Sequence, residues 1–245
     1  MSNSNLPASA KFLVTGASGF IGTSLVRHLV SLGCNVYGVD ARPSSNQSSN
    51  YIHIQRDILG INASDLFLIT GEVDFIVHLA ARTDLNGSNL LAYDVNLSGL
   101  IVMCEYAKMN SSVSFLFAST QLVNGLGDTP SSYLDYSPDS FYGLSKVLGE
   151  TIVSSFFNTS ANVRWIIFRP TTVWGPGMSL HYRNFLSLLC KRRYFHIGLK
   201  PCLKSFSYID NASSQIIDLA VDVDRYMSSS VHYLCAEEPI NIVSW

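Results

Sequence analysis

Lys11-Phe12-Leu13-Val14-Thr15-Gly16-Ala17-Ser18-Gly19-Phe20-Ile21-Gly22 is the stretch that decides the fold. Its apolar start reads as a short buried strand, which breaks at once into a turn with a glycine at every third position. Beyond it, Leu25, Val26, Leu29, Val30 and Leu32 recur at helical spacing up to Gly33, a favourable helix stop. Asn35-Val36-Tyr37-Gly38-Val39-Asp40 then reads as a second buried strand that ends in an acid. Strand, glycine turn, helix, strand and acid, in that order, describe a dinucleotide-binding βαβ unit. Glycine admits backbone angles closed to other residues, and the free N–H groups of a helix start attract phosphate. The spacing Gly-x-x-Gly-x-x-Gly is one residue longer than Gly-x-Gly-x-x-Gly.

A carboxylate such as Asp40 at the end of the second strand accepts hydrogen bonds from ribose hydroxyls and repels a 2′-phosphate, which selects NAD. Arg42, two residues on, leaves NADP as the alternative, because a guanidinium binds such a phosphate when its loop turns inward. The alternation then continues. After a Ser-rich loop from Pro43 to Asn50, Tyr51-Ile52-His53-Ile54 is a third strand followed by Asp57. Val73 to Leu79 is a fourth, ending in His78-Leu79-Ala80-Ala81, where small residues let a cofactor lie against the backbone and His78 reads as a satisfied strand-end histidine. A helix-like region from about Ser88 to Lys108 carries Asn96 and leads to Val113-Ser114-Phe115-Leu116-Phe117-Ala118. That fifth strand runs into Ser119-Thr120-Gln121, and a hydroxyl there is well placed, since open parallel sheets bind ligands beyond the carboxyl ends of their strands. Val163 to Pro170 is a sixth strand, and Thr171 to Gly177 has no room for regular structure. The fold class is therefore α/β, a doubly wound (Rossmann) parallel sheet with helices on both faces and a partial C-terminal lobe.

Between the fifth and sixth strands, Ser140-Phe141-Tyr142-Gly143-Leu144-Ser145-Lys146 sets a phenol and an ammonium four residues apart in a helical segment, so both heads reach one small molecule. Ser137-Pro138-Asp139-Ser140 supplies start signals, and Leu144, Val147, Leu148, Ile152, Val153 and Phe156 form the expected buried stripe.

Composition narrows the function classes. A chain of 245 residues, 47% hydrophobic and 14% charged, buries a substantial core. A formal charge of -2, with only Lys191-Arg192-Arg193 as a basic run, gives no electrostatic basis for binding nucleic acid. Cys34, Cys104, Cys190, Cys202 and Cys235 are scattered with no Cys-x-x-Cys spacing, which excludes a disulfide framework and a zinc site and suits a reducing cytoplasm; no metal is expected. Met1 to Ala10 reads as a short disordered lead-in rather than a signal peptide, and no apolar run reaches the length of a membrane span.

Together these residues resemble the extended short-chain dehydrogenase/reductase family, in particular its NAD-dependent nucleoside-diphosphate-sugar epimerases and dehydratases. The resemblance rests on Thr15 to Gly22, Asp40, Asp57, His78-Leu79-Ala80-Ala81, Asn96 within Val95-Asn96-Leu97-Ser98-Gly99, Thr120, Tyr142 with Lys146, and Arg169-Pro170. Ser205-Phe206-Ser207-Tyr208-Ile209-Asp210-Asn211 is similar to the family's late strand-and-acid motif, and Glu238-Pro239-Ile240-Asn241-Ile242 to its last strand region. It implies cofactor contacts at Gly16, Ser18, Gly19, Phe20, Ile21, Gly22, Asp40, Arg42, Asp57, Ile58, Leu79, Ala80, Ala81, Asn96, Tyr142, Lys146, Arg169 and Pro170. Substrate contacts fall to Thr120 and Lys204. It further implies an NAD-binding domain over residues 11–170 and a partial substrate lobe over residues 171–245 that returns in part to the first domain. Homodimerisation through the helices near Ser88 to Lys108 and Phe141 to Phe157 is implied as well.

The implied chemistry is epimerisation of a nucleoside-diphosphate sugar, by transient oxidation at C4 and hydride return to the opposite face. Tyr142 takes the proton, Thr120 orients the hydroxyl, and Lys146 holds the nicotinamide ribose and lowers the phenol. A phenol of pKa near 10 needs roughly 4 kcal/mol of preference for its anion to work near neutrality, about what a cation near 4 Å supplies at an effective dielectric of 20. The alternatives are an NADPH-dependent keto-sugar reductase and a non-catalytic dinucleotide-binding protein. Gln121-Leu122 stands where the dehydratases of the family carry Asp-Glu, which argues against dehydration. Asn124 and Trp174 replace tyrosines common in those loops, and Lys204 replaces an arginine near the substrate diphosphate. The family pattern also continues beyond the Ile240-Asn241-Ile242 strand, so the substrate lobe is expected to be incomplete here.

Overall fold

Seven parallel strands carry the molecule, and the strand order puts a crevice beside the glycine turn. The structure is a computed structural model that describes residues 6–7, 9–125, 127–178, 180–193, 203–221, 230–236 and 238–241. Strand β1 (Lys11–Thr15) is followed by helix α1 (Phe20–Ser31), β2 (Asn35–Asp40), β3 (Tyr51–Gln55), α2 (Ala63–Thr70), β4 (Phe75–His78) and α3 (Asp94–Lys108). Then come β5 (Val113–Ala118), α4 (Phe141–Phe157), β6 (Val163–Pro170), β7 (Thr172–Trp174) and α5 (Leu180–Cys190). The last elements are β8 (Leu203–Lys204), β9 (Phe206–Tyr208), α6 (Ile209–Val221), β10 (Ser230–Leu234) and β11 (Ile240–Asn241). The main sheet runs β10-β6-β5-β4-β1-β2-β3. β1 lies between β2 and β4, with Val14 opposite both Gly38 and Val77, so the chain order reverses there and opens a crevice at the carboxyl ends of β1 and β4.

Both sheet faces are buried, so the strands are apolar throughout rather than alternating with polar residues. Phe12 and Val14 point to one side, where Leu25, Val26 and Leu29 of α1 and Ile216, Ile217 and Ala220 of α6 cover them. Leu13 points to the other, under Leu66 of α2, Leu100 and Met103 of α3 and Val153 of α4. α1 stops where the sequence says it does: Gly33 adopts φ 85°, and its N–H donates to the Val30 carbonyl at 3.0 Å.

Several expectations need correcting. Ser88 to Lys108 is not one helix; a 3₁₀ turn at Leu90–Tyr93, capped by Asn89, precedes α3. Thr171 to Gly177 does contain regular structure, because Thr172–Trp174 finds a parallel partner in Phe206–Tyr208, far along the chain. β11 pairs antiparallel with β8, while Ile242 lies outside the described residues. The same holds for Cys202 and, in the lead-in, for residues 1–5 and 8. Leu90–Lys108 has the length and mean hydropathy of a membrane span, although Asp94, Asn96, Glu105 and Lys108 interrupt its apolar residues. Its Asn96, Leu100, Met103 and Tyr106 are buried in the protein core. Lastly, α4 turns a different face inward than its apolar residues suggest. Tyr142, Ser145, Lys146, Gly149, Glu150, Val153 and Phe157 are buried, whereas Leu144, Val147, Leu148, Ile152 and Phe156 are half-buried. Gly149 permits this: a Cβ there would lie 2.7 Å from the Phe117 ring of β5.

Candidate active site

The glycine turn is built for close approach. Gly16 has φ 69°, and a Cβ on it would sit 2.8 Å from the Ala80 nitrogen and 2.9 Å from the Leu79 carbonyl carbon. The turns after β1 and β4 are therefore pressed together at the crevice, and only glycine fits. Gly22 lets α1 descend onto the same turn, since its Cβ would strike the Gly16 carbonyl oxygen at 2.1 Å. The start of α1 has no side-chain cap and no acid in its first turn. In contrast, Asn62 caps α2 and Ser140 caps α4. Its N–H groups face outward with partial positive charge beside Ser18, Phe20 and Ile21, an arrangement suited to a pyrophosphate.

Asp40 closes the turn. One carboxylate oxygen accepts from the Ser18 N–H at 2.9 Å, and the other accepts from the Arg42 backbone N–H at 2.9 Å and from Arg42 Nε at 3.3 Å. The Arg42 guanidinium thus neutralises Asp40 and lies near Gly19. Asp57 accepts from the Leu59 N–H and starts a short turn. Within it Ile58 is buried, with Gly99 of α3 close against it.

The second half of the site lies beyond β5. Thr120 accepts from the Leu122 N–H at 3.2 Å, and its hydroxyl lies near enough to the Tyr142 phenol to favour the phenolate. Burial nonetheless pushes Tyr142 up to about 12. Lys146, one helical turn on, donates from Nζ to the Ala118 carbonyl at 2.8 Å and lies 4.9 Å from the centre of the Phe117 ring. Burial lowers its ammonium to about 7, with Glu150 acting in the opposite direction. The expected lowering of the phenol by Lys146 is absent from this arrangement. The ammonium is aimed at the strand-end carbonyl, and burial dominates the phenol.

The profile of the NAD dependent epimerase/dehydratase family matches residues 12–196, a span that takes in both halves of this site. The chain belongs to that family. A UDP-glucose 4-epimerase of Vibrio cholerae is 30% identical over 189 residues, 73% of this chain and 56% of that protein. A probable dTDP-glucose 4,6-dehydratase of Sinorhizobium fredii is 32% identical over 173 residues, 61% of this chain and 49% of that protein. The chain therefore spans about half the length of these relatives. Among solved structures, MoeE5 in complex with UDP-glucose and NAD has a TM-score of 0.78 and 25% identity, covering 96% of this chain and 79% of that one.

The family's cofactor is NAD, and the residues present fit it: an uncapped helix start, a glycine pressed against the opposite turn, and a carboxylate at the end of β2 beside that turn. Other residues assigned to the cofactor sit deeper. Asn96 is fully bonded, its Oδ1 accepting from the Arg82 N–H and its Nδ2 donating to the Arg82 carbonyl and the Ser145 hydroxyl. It ties the turn after Ala80 and Ala81 to α4. Arg169 is completely buried and committed to Glu150, leaving Pro170 half-buried at the strand end. Lys204, on β8, lies 5.6 Å from the Phe206 ring. His78 is only half satisfied: Nδ1 pairs with the Thr15 hydroxyl at 2.8 Å, whereas Nε2 is buried with no partner. Burial and the nearby Lys146 hold it neutral, its pKa pulled down to about 3.

Sequence reasoning missed the group that joins these parts. Glu150 is 2% exposed and accepts from Arg169 Nε at 2.9 Å, from Arg169 Nη2 at 2.7 Å, from Tyr136 at 2.9 Å and from Ser119. A glutamate two turns after Tyr142, on a helix face that also carries Lys146 and Gly149, is the signal that could have found it.

Proposed function

We propose that this chain acts as an NAD-dependent 4-epimerase of a nucleoside-diphosphate sugar. The observation that carries the reading is the Thr120–Tyr142 hydroxyl pair at the carboxyl end of β5, one turn from Lys146, with Gln121-Leu122 rather than acids beside it. NAD, when bound, supplies reversible oxidation at the sugar carbon. Tyr142 takes and returns the proton of the C4 hydroxyl through its phenolic oxygen, and Thr120 orients that hydroxyl. Lys146 holds the nicotinamide ribose. Gly16, Ser18, Gly19, Phe20, Ile21 and Gly22 hold the pyrophosphate, with Asp40 and Arg42 at the adenosine ribose and Asp57 and Ile58 beyond. The Asp40–Arg42 ion pair supports NAD over NADP, because it occupies the guanidinium with a carboxylate. Without an acid at residues 121–122, the strand end offers no group to eliminate water.

Residues 11–170 hold the cofactor in this reading, and residues 171–245 form a partial substrate lobe that returns in part to the first domain through α6 and β10. Trp174, Tyr208 and Arg183 line an open cavity there, with the two aromatic rings edge-to-face at 5.0 Å. In this reading Lys204 binds the substrate diphosphate. The half-buried apolar residues Leu144, Val147, Leu148 and Ile152 on α4 support a homodimer, and the free thiols of Cys34, Cys104, Cys190 and Cys235 suit a reducing cytoplasm. The test is turnover of UDP-hexoses by Tyr142→Phe. Removing the proton acceptor should cost about 10²- to 10⁴-fold in kcat. Unchanged turnover of every accepted sugar would overturn the mechanism.

A further inference from the structure

The strongest unexplained feature is a complete ion pair sealed beneath the reactive residues. Glu150 lies one turn after Lys146 and two turns after Tyr142 on the inward face of α4. Its four hydrogen-bond partners come from three other segments: Ser119 after β5, Arg169 on β6 and Tyr136 from the loop before α4. Ser119 stands between Ala118, whose carbonyl accepts from Lys146, and Thr120, whose hydroxyl meets Tyr142. One carboxylate therefore fixes the strand end that aligns both reactive side chains. Arg169 carries the connection outward, donating to the Tyr133 carbonyl at 2.8 Å and to the Tyr233 hydroxyl at 3.1 Å.

We propose that Glu150, held in place by Arg169, is a positioning residue that clamps the Ala118-Ser119-Thr120 strand end against α4 and keeps the Lys146 ammonium charged and aimed. The assignment of a role to Lys146 rests on the function proposed above; the electrostatic effect of Glu150 on it does not. The groups around Lys146 leave Glu150 as its anion. From β4 comes His78, held neutral; from β5 the Ala118 carbonyl and the Phe117 ring; from α4 itself Tyr142, kept protonated by burial, and Glu150. Arg169 on β6 faces Glu150 from the far side, and Tyr93 and Asn96 approach α4 through Tyr142 and Ser145. Burial opposes the ammonium and Glu150 supports it.

The experiment compares the wild type with Glu150→Gln and with the double variant Glu150→Gln/Arg169→Met, which leaves neither member of the Glu150–Arg169 pair buried without the other and carries the test should the single variant fail to fold. Protein labelled with ¹⁵N-lysine is titrated, and the Lys146 Nζ signal is assigned by its loss in Lys146→Met. The expected result is a titration midpoint lower in the double variant by on the order of one pH unit, the size a single nearby opposite charge confers. The alkaline limb of the kcat profile should move with it. An unchanged midpoint would overturn the proposal, since a purely structural ion pair replaced as a unit leaves Lys146 as it was. A midpoint that moves while the kcat profile stays fixed would uphold the role of Glu150 and refute that of Lys146 in turnover, so the two failures are distinguishable.

Discussion

Lys146 makes the protein's stability depend on pH in a way that can be worked from its burial. Its ammonium falls from 10.5 to about 7 in the folded chain because burial strips it of water, and Glu150 offsets only part of this. In the unfolded chain the group stays protonated until near its ordinary value. Above the folded value the unfolded state therefore binds more protons than the native one, so stability rises with pH. Between about pH 6.5 and about pH 8.5 the gain is about 2 kcal/mol, at about 1.4 kcal/mol per pH unit once the native amine is neutral. The perturbation is Lys146→Met, which keeps the stem and removes the titration. Urea unfolding at a series of pH values is the assay, and the midpoint difference between the two proteins should change by about 1 M over that window for a slope near 2 kcal/mol per M. Other groups do not confuse the comparison. His78, pulled down to about 3, adds stability as pH rises toward 6.5 and is complete there. Tyr142, raised to about 12, and Cys34, raised to about 11, act in the opposite sense only at more alkaline pH, and both are common to the two proteins. Parallel pH profiles for wild type and Lys146→Met would mean that the buried ammonium stays charged throughout, and would refute the reasoning.

Other substitutions test the remaining parts of the site. Gly16→Ala places a methyl 2.8 Å from the Ala80 nitrogen at a residue with φ 69°, and should cost about 1–3 kcal/mol of stability together with most NAD binding, read by thermal unfolding and calorimetric titration. Asp40→Asn removes the charge facing the ribose while keeping an acceptor for the Ser18 N–H, so NAD affinity should fall and NADP affinity rise, shifting their ratio by about tenfold or more; an unmoved ratio would exclude Asp40 from selection. Ser140→Ala removes the bond from its hydroxyl to the Gly143 N–H at 3.0 Å and should lower stability by about 1 kcal/mol in urea unfolding.

The cofactor half was legible because it is local in sequence. Glycine at positions 16, 19 and 22, a strand before and a helix after, and an acid one strand later are consequences of chain order, and a Cβ on any of the three would meet backbone within 3 Å. The main strands could be read for the same reason, since a sheet covered on both faces demands continuous apolar runs. What escaped were features defined by distant partners. β7 is three residues long and becomes a strand only because Phe206–Tyr208 lies beside it. β10 joins the sheet next to β6 without adjoining it in sequence.

Helix α4 shows why the interior of the site was harder. A hydrophobic stripe is the ordinary guide to a buried face, and it pointed to Leu144, Val147, Leu148, Ile152, Val153 and Phe156, of which Val153 is buried and Ile152 and Phe156 pack against the core. The face against β5 instead carries a phenol, a serine, an ammonium, a glycine and a carboxylate. A helix tolerates that inversion when its buried polar heads have partners, as here Ser145 has Asn96, Lys146 has Ala118 and Glu150 has Arg169. The partners come from β5, β6 and α3, separated from α4 by up to 49 residues in the bonds just named. Sequence periodicity carries no sign of such pairing, so the inward face of α4 reads as polar and exposed until the sheet is folded beneath it.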